Sequence, residues 1–248
     1  MRLLAASLSG VADAAWGRAV ASHVDCALLG GLALDGPTRE AARAMVARDR
    51  EEFLPDDPVA WAEREFAALA DAPVRPGLNV RAAAPASIRP VAEVCAAHDA
   101  VLEVNAHCRQ AEMCAAGAGE RLLCDPDALA TQVAAAGPAT TSVKLRAEVD
   151  GADLRAAARA ASAAGADLLH VDAMDTPESV AQVAAAAPEA TVVGNNGVRD
   201  APTARRYLDR GADAVSVGRP TGEPELLARV TGDIETAWRV PELPGGSP

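Results

Sequence analysis

Eight short runs rich in valine and leucine recur along the chain, separated by alanine-rich stretches suited to helices. This alternation constrains the fold more than any other feature of the sequence. The runs cover residues 3–7, 25–29, 75–80, 100–105, 140–145, 168–172, 190–194 and 214–218. Continuous apolar runs bounded by turn residues fit strands buried on both faces. Helices are expected over residues 151–164, 177–187 and 201–210, the last behind Asp200 as N-cap. The stretch 35–72 is expected to hold two helices divided at residues 53–58, where Pro55 and Pro58 stand. Eight strands alternating with helices in 248 residues predict a single (β/α)8 barrel over residues 1–240. A doubly wound open sheet is the runner-up. The Pro/Gly-rich segment 241–248 is expected to be a frayed, disordered tail.

Composition narrows the function classes. No apolar stretch reaches the roughly 18 residues of a membrane span, and the apolar start is soon broken by Ser9, Gly10 and Asp13, unlike a signal peptide. Five cysteines, an odd number, read as thiols in a reducing cytoplasm and predict a cytoplasmic protein. The spacing of Cys108, Cys114 and Cys124 fits no common zinc pattern, so no metal is expected. A net charge of −12 disfavours a nucleic-acid-binding face. Among 23 basic residues only Lys144 is lysine, and it stands near the end of the fifth run.

In a barrel the chemistry lies at the C-terminal ends of the strands. There the chain places Asn105-Ala106-His107-Cys108, then Val143-Lys144-Leu145-Arg146, then His170-Val171-Asp172. The last two strands end in Gly194-Asn195-Asn196-Gly197 and Gly218-Arg219. Glycine turns after the seventh and eighth strands commonly bind phosphate through backbone N–H groups, helped by a helix N-terminus. A buried lysine is costly without an anion, which favours a ligand-facing role for Lys144.

This series resembles the FMN-dependent dihydrouridine synthase family and, more distantly, the dihydroorotate dehydrogenases. Matching segments run from residue 3 to about residue 230. The family's first-strand segment corresponds to Ala6-Ser7-Leu8-Ser9-Gly10-Val11-Ala12-Asp13, its third-strand glutamine to Asn79, and its Asn-x-x-Cys to Asn105 through Cys108. A glycine-rich loop and Asp-Pro helix start follow at residues 117–126. The resemblance implies FMN held by Ser7, Leu8, Ser9, Asn79, Lys144, His170, Asp172, Gly194, Asn195, Asn196, Gly197, Gly218 and Arg219. It also implies that Lys144 stabilises negative charge on the reduced flavin, that Asn105 holds pyrimidine or flavin, and that Cys108 is the general acid in reduction or oxidation of a pyrimidine-like C=C bond. His107 either lines the site or caps the loop.

The sequence departs from the family in three places. Arg109 stands where the family has proline, either Asp172 or His170 takes the place of its histidine, and the first-strand proline is missing. The chain stops soon after the eighth unit, without the helical domain with which synthases hold tRNA. With the acidic charge, this makes a small pyrimidine-like molecule the expected substrate in preference to tRNA. The closest subtype by resemblance is an archaeal offshoot of the family. Two other readings of the same residues stay open: a flavin-free phosphate-binding isomerase or synthase with Asp172 as base, and a non-catalytic barrel. The oligomeric state and electron donor are not readable.

Overall fold

A computed structural model describes residues 2–238; the segment 241–248 lies outside the described residues. Eight parallel strands close into a barrel in chain order: β1 Leu3–Ala5, β2 Cys26–Ala33, β3 Arg75–Arg81, β4 Val101–Ala106, β5 Thr140–Arg146, β6 Leu168–Asp172, β7 Thr191–Asn195 and β8 Ala214–Val217. The open-sheet alternative is thereby excluded. The helices are α1 Ala14–Val20, α2 Gly36–Val46, α3 Pro58–Ala67, α4 Ile88–Ala97, α5 Ala111–Ala115, α6 Pro126–Ala135, α7 Leu154–Ala163, α8 Glu178–Ala186, α9 Ala201–Leu208 and α10 Pro224–Glu235. The two helices expected within 35–72 are α2 and α3.

Every strand run was located to within a few residues, and β2 departs most. It continues past Leu29 to Ala33, because a bulge between Gly30 and Leu32 shifts its register against β3 and lets pairing resume. Gly30 adopts φ +91, a conformation that glycine reaches without steric cost.

The acidic surplus has structural work. Asp13, Asp35, Asp57, Asp125, Asp153 and Asp200 each cap a helix N-terminus with the side-chain carboxylate, at about 1 kcal/mol apiece. At the opposite end of the barrel, Asp25, Asp167 and Asp213 accept the amides of Leu3, Thr141 and Val192 at 3.1, 2.8 and 2.9 Å. Each carboxylate sits just before one strand and clamps the start of a neighbour.

The main core lies between the barrel and its helices and is built largely from Ala, Val and Leu. A separate small cluster, Leu4, Cys26, Leu28, Val101, Leu168, Val193 and Ala214, comes from the strands alone. Side chains two apart share a face of a strand, so Val101 and Leu168 point the same way as Glu103 and Asn105, and as His170 and Asp172. The barrel interior is therefore apolar at its base and polar toward the C-terminal rim, where barrel enzymes place their chemistry.

Candidate active site

The polar layer of the interior is organised around Glu103, a residue the sequence reading passed over. Its carboxylate is fully buried and accepts Asn79 Nδ2 at 2.7 Å, Ser142 Oγ at 3.1 Å and His170 Nδ1 at 2.7 Å. The other ring nitrogen of His170 lies 2.7 Å from Ser216 Oγ and 3.1 Å from Asn195 Nδ2. Burial drives the Glu103 pKa upward, but the His170 ring, the Lys144 charge and the Asn79 amide outweigh it and hold the group at about 2. The Lys144 charge acts on this carboxylate through space, without an ion pair within 4 Å.

Lys144 stands in register with Asn105 on β4 and His170 on β6. Its side chain is 5 % exposed, yet among the described residues it makes no hydrogen bond and no ion pair within 4 Å. Its ammonium meets Glu103, His107 and Asp172 only through their longer-range fields. Lys144 lines a cavity of about 510 Å³ together with Ser7, Leu8, His107, Asp172, Asn195, Asn196, Gly197, Gly218 and Arg219. This volume falls within the roughly 300–1,000 Å³ of small-molecule sites. Ala6, Val198 and Arg199 complete the wall.

Two glycine turns close one end of this cavity. Gly197 has φ +64, and a Cβ built on it or on Gly218 would meet nothing within 4 Å. Backbone is thus bare to the space in front of both turns. The N-terminus of α9 is engaged within its own helix. The first turn of α9 is taken by its own capping box, in which Asp200 accepts Thr203 N at 2.9 Å. Anion binding here falls instead to the turns and to the exposed Arg199 and Arg219. Gly194 has a different duty from the one expected of it: a Cβ there would lie 2.6 Å from Cγ of Tyr207, so its small size serves packing.

The loop after β4 is fixed by Asn105. Its Oδ1 accepts the backbone amides of His107 at 3.1 Å and Cys108 at 2.8 Å, while its Nδ2 donates to Asn79 Oδ1 at 2.8 Å. This short turn sends its two side chains into different surroundings. His107 enters the cavity, with Nε2 2.6 Å from Asp172 Oδ2. Cys108 is not among the cavity residues; it packs against the cluster of Ala41, Met45, Met113 and Ala118. Desolvation lowers the His107 pKa, Lys144 and Arg146 lower it further, and together they outweigh the hydrogen bond and charge of Asp172. Asp172 is also lowered: burial opposes ionisation, but the His107 contact, the Met174 amide and the Lys144 charge prevail.

Of the residues expected at a flavin, Ser7, Leu8, Lys144, Asp172, Asn195, Asn196, Gly197, Gly218 and Arg219 therefore meet at one cavity. Asn79, Asn105 and His170 lie in the bonded layer of the barrel interior, and Ser9 lies 3.4 Å from a guanidinium nitrogen of Arg81. Arg199 was missed; its signal was a base two residues past the Gly-Asn-Asn-Gly turn. Among the described residues no cluster of three or more His, Cys, Asp or Glu could hold a metal, and no helix is long and apolar enough to cross a membrane.

The family model described as dihydrouridine synthase matches residues 38–244. None of the curated proteins matches the sequence. Among solved structures, DHODH in complex with ferulenol from Eimeria tenella superposes with a TM-score of 0.66 at 14% identity, over 94% of this chain and 80% of that one. Thiamine phosphate pyrophosphorylase from Pyrococcus furiosus gives 0.56 at 13%, over 96% and 97%. At such identities the structural likenesses establish the barrel fold alone.

Proposed function

The chain belongs to the dihydrouridine synthase family, and from that premise we propose that it is an FMN-dependent oxidoreductase that reduces or oxidises the C=C bond of a pyrimidine-like ring. The observation that carries this is Lys144, a buried cation with no bonded partner among the described residues, facing a cavity that ends in two bare glycine turns. The donor set suits a flavin phosphate: anion-binding backbone and two arginines lie at one end, and a lone ammonium lies farther in. A neutral apolar ligand would leave that ammonium unpaired, which is costly in a buried site.

Bound FMN supplies a two-electron hydride carrier. The residues of this chain do the rest. Gly197, Gly218, Arg199 and Arg219 hold the phosphate. Lys144 places fixed positive charge where negative charge develops on reduction, already oriented and so without reorganisation cost. Glu103, His170, Asn79 and Asn105 make a bonded layer beside Lys144 that holds the β4 loop in place. The same loop carries the proton donor, for which the family resemblance names Cys108. The charge of −12 favours a small pyrimidine over tRNA as substrate.

Two measurements test this reading. The purified protein should carry or take up FMN and release it on denaturation. Dithionite-reduced, FMN-loaded protein should then be reoxidised without oxygen by uridine, uracil or unmodified tRNA. Failure to take up FMN, with thermal stabilisation by sugar phosphates instead, would identify a flavin-free phosphate-binding barrel.

A further inference from the structure

We propose that His107, oriented by Asp172, is the residue that moves the proton on and off the substrate ring in this cavity. The inference deepens the flavin-oxidoreductase reading and rests on it. It starts from the divergence of two adjacent side chains. His107 lines the cavity with Lys144, whereas Cys108 packs against the cluster of Ala41, Met45, Met113 and Ala118. The Asn105 side chain clamps both backbone amides, so this division is set by the turn and not by a freely rotating loop.

The hydrogen bonds then assign the nitrogens. The titratable or charged groups acting on His107 are Asp172 on β6 and Lys144 and Arg146 on β5. Two cations and enclosure favour the neutral ring, while Lys144, the Met174 amide at 3.1 Å and His107 itself favour an ionised Asp172. An ionised carboxylate only accepts, so Nε2–H donates to Asp172 and Nδ1 carries the lone pair. No other hydrogen bond to the His107 ring occurs among the described residues. Nδ1 is thus free for a proton from the ring, and the imidazolium formed would be held against Asp172, the arrangement by which a carboxylate orients a histidine base.

The proton balance follows. In the desaturating direction a ring C–H bond breaks and its proton goes to Nδ1, while bound FMN would supply the acceptor for the hydride of the neighbouring carbon. In the saturating direction the His107 ring first takes a proton from solvent on Nδ1, and this imidazolium gives that proton up as the ring C–H forms, while bound FMN would supply hydride to the other carbon with electrons from a dihydronicotinamide. His107 is the catalytic residue in this scheme, and Asp172 is a positioning residue.

The test has a spectroscopic arm and a kinetic arm. In 15N-histidine-labelled full-length protein, His107 is identified by the signal lost in His107→Gln. At pH 7 it should be neutral and protonated on Nε2, with a titration midpoint below the ordinary value of about 6.5, and Asp172→Asn should abolish that tautomer preference. A cationic ring at pH 7, or a tautomer unchanged in Asp172→Asn, would overturn the assignment whether or not flavin binds. In the kinetic arm, uridine reoxidises dithionite-reduced, FMN-loaded protein. His107→Gln should slow this roughly 100-fold, at least tenfold more than Cys108→Ala does, and Asp172→Asn should shift its pH profile. Wild-type rates in His107→Gln, or a larger loss in Cys108→Ala, would overturn it. A wild-type protein that binds FMN but is not reoxidised by uridine, uracil or tRNA would instead refute the pyrimidine reading on which the proposal rests.

Discussion

Two buried cations stand at the C-terminal ends of strands β3 and β5, and the protein treats them in opposite ways. Arg81 is ion-paired with Glu52, both side chains 1 % exposed, and also donates to the carbonyl of Gly31. Lys144 is about as deeply buried and has no bonded partner among the described residues. One nitrogen of the Arg81 guanidinium, Nη2, ties the loop before Phe53 to β2 and β3 through Glu52 and the Gly31 carbonyl. Lysine's single point of charge is left facing the cavity on the side that is open. The contrast teaches that burial of a charge does not mark function by itself; what marks it is burial without a protein partner. The Arg81–Glu52 pair is not free of cost either, since Nε and Nη1 of Arg81 and one oxygen of Glu52 find no hydrogen bond.

Substitutions can break this comparison. The largest effect on stability is expected from Arg81→Met, which strands the Glu52 carboxylate and should cost about 3–5 kcal/mol in denaturant unfolding. Adding Glu52→Leu should recover most of that loss, because the orphaned atoms go with the pair. Lys144→Met should cost less than about 2 kcal/mol of stability by the same measurement, because no bonded partner is left behind. Its effect falls on the ligand: FMN affinity should drop roughly 100-fold, about 2.7 kcal/mol, by fluorescence titration. Equal stability losses in the two methionine variants would remove the distinction.

Smaller effects come through pH. Glu103 is held at about 2 in the fold, below the ordinary value of about 4.3. Its contribution is therefore complete above the unfolded value and is lost as pH falls toward 2. Glu103→Gln should be less stable at neutral pH and show a flatter acid limb in that window. The smallest effect belongs to His107. Its pKa is lowered, so the folded state resists its protonation, and stability should decline slightly as pH falls below about 6.5. Thermal melts of His107→Gln from pH 8 to pH 5 should lack that decline.

The barrel was legible because strands buried on both faces must be apolar along their whole length, and turn residues punctuate them. Lys144 was legible because arginine replaces lysine everywhere else. Glu103 was not, since one acid inside the apolar run Val101-Leu102-Glu103-Val104 leaves the strand pattern intact, and its partners come from three other strands. The continuation of β2 was hidden because Gly30-Gly31 reads as a turn, whereas a bulge carries the strand through it. The separation of His107 from Cys108 depends on which amides the Asn105 side chain accepts, a matter of three-dimensional turn geometry that residue spacing does not encode. Gly194 and Gly197 look alike in one turn, yet a tyrosine ring explains the first and open space the second.

The central claim is that the open side of the rim binds a flavin phosphate through two bare turns and a partnerless lysine. Titration of the purified protein with FMN and, in parallel, with riboflavin tests it most directly, by quenching of flavin fluorescence. The account predicts saturable FMN binding, with riboflavin weaker by at least about tenfold, the equivalent of roughly 1.4 kcal/mol from the phosphate contacts. Equal affinity for the two, or no binding of either, would contradict it.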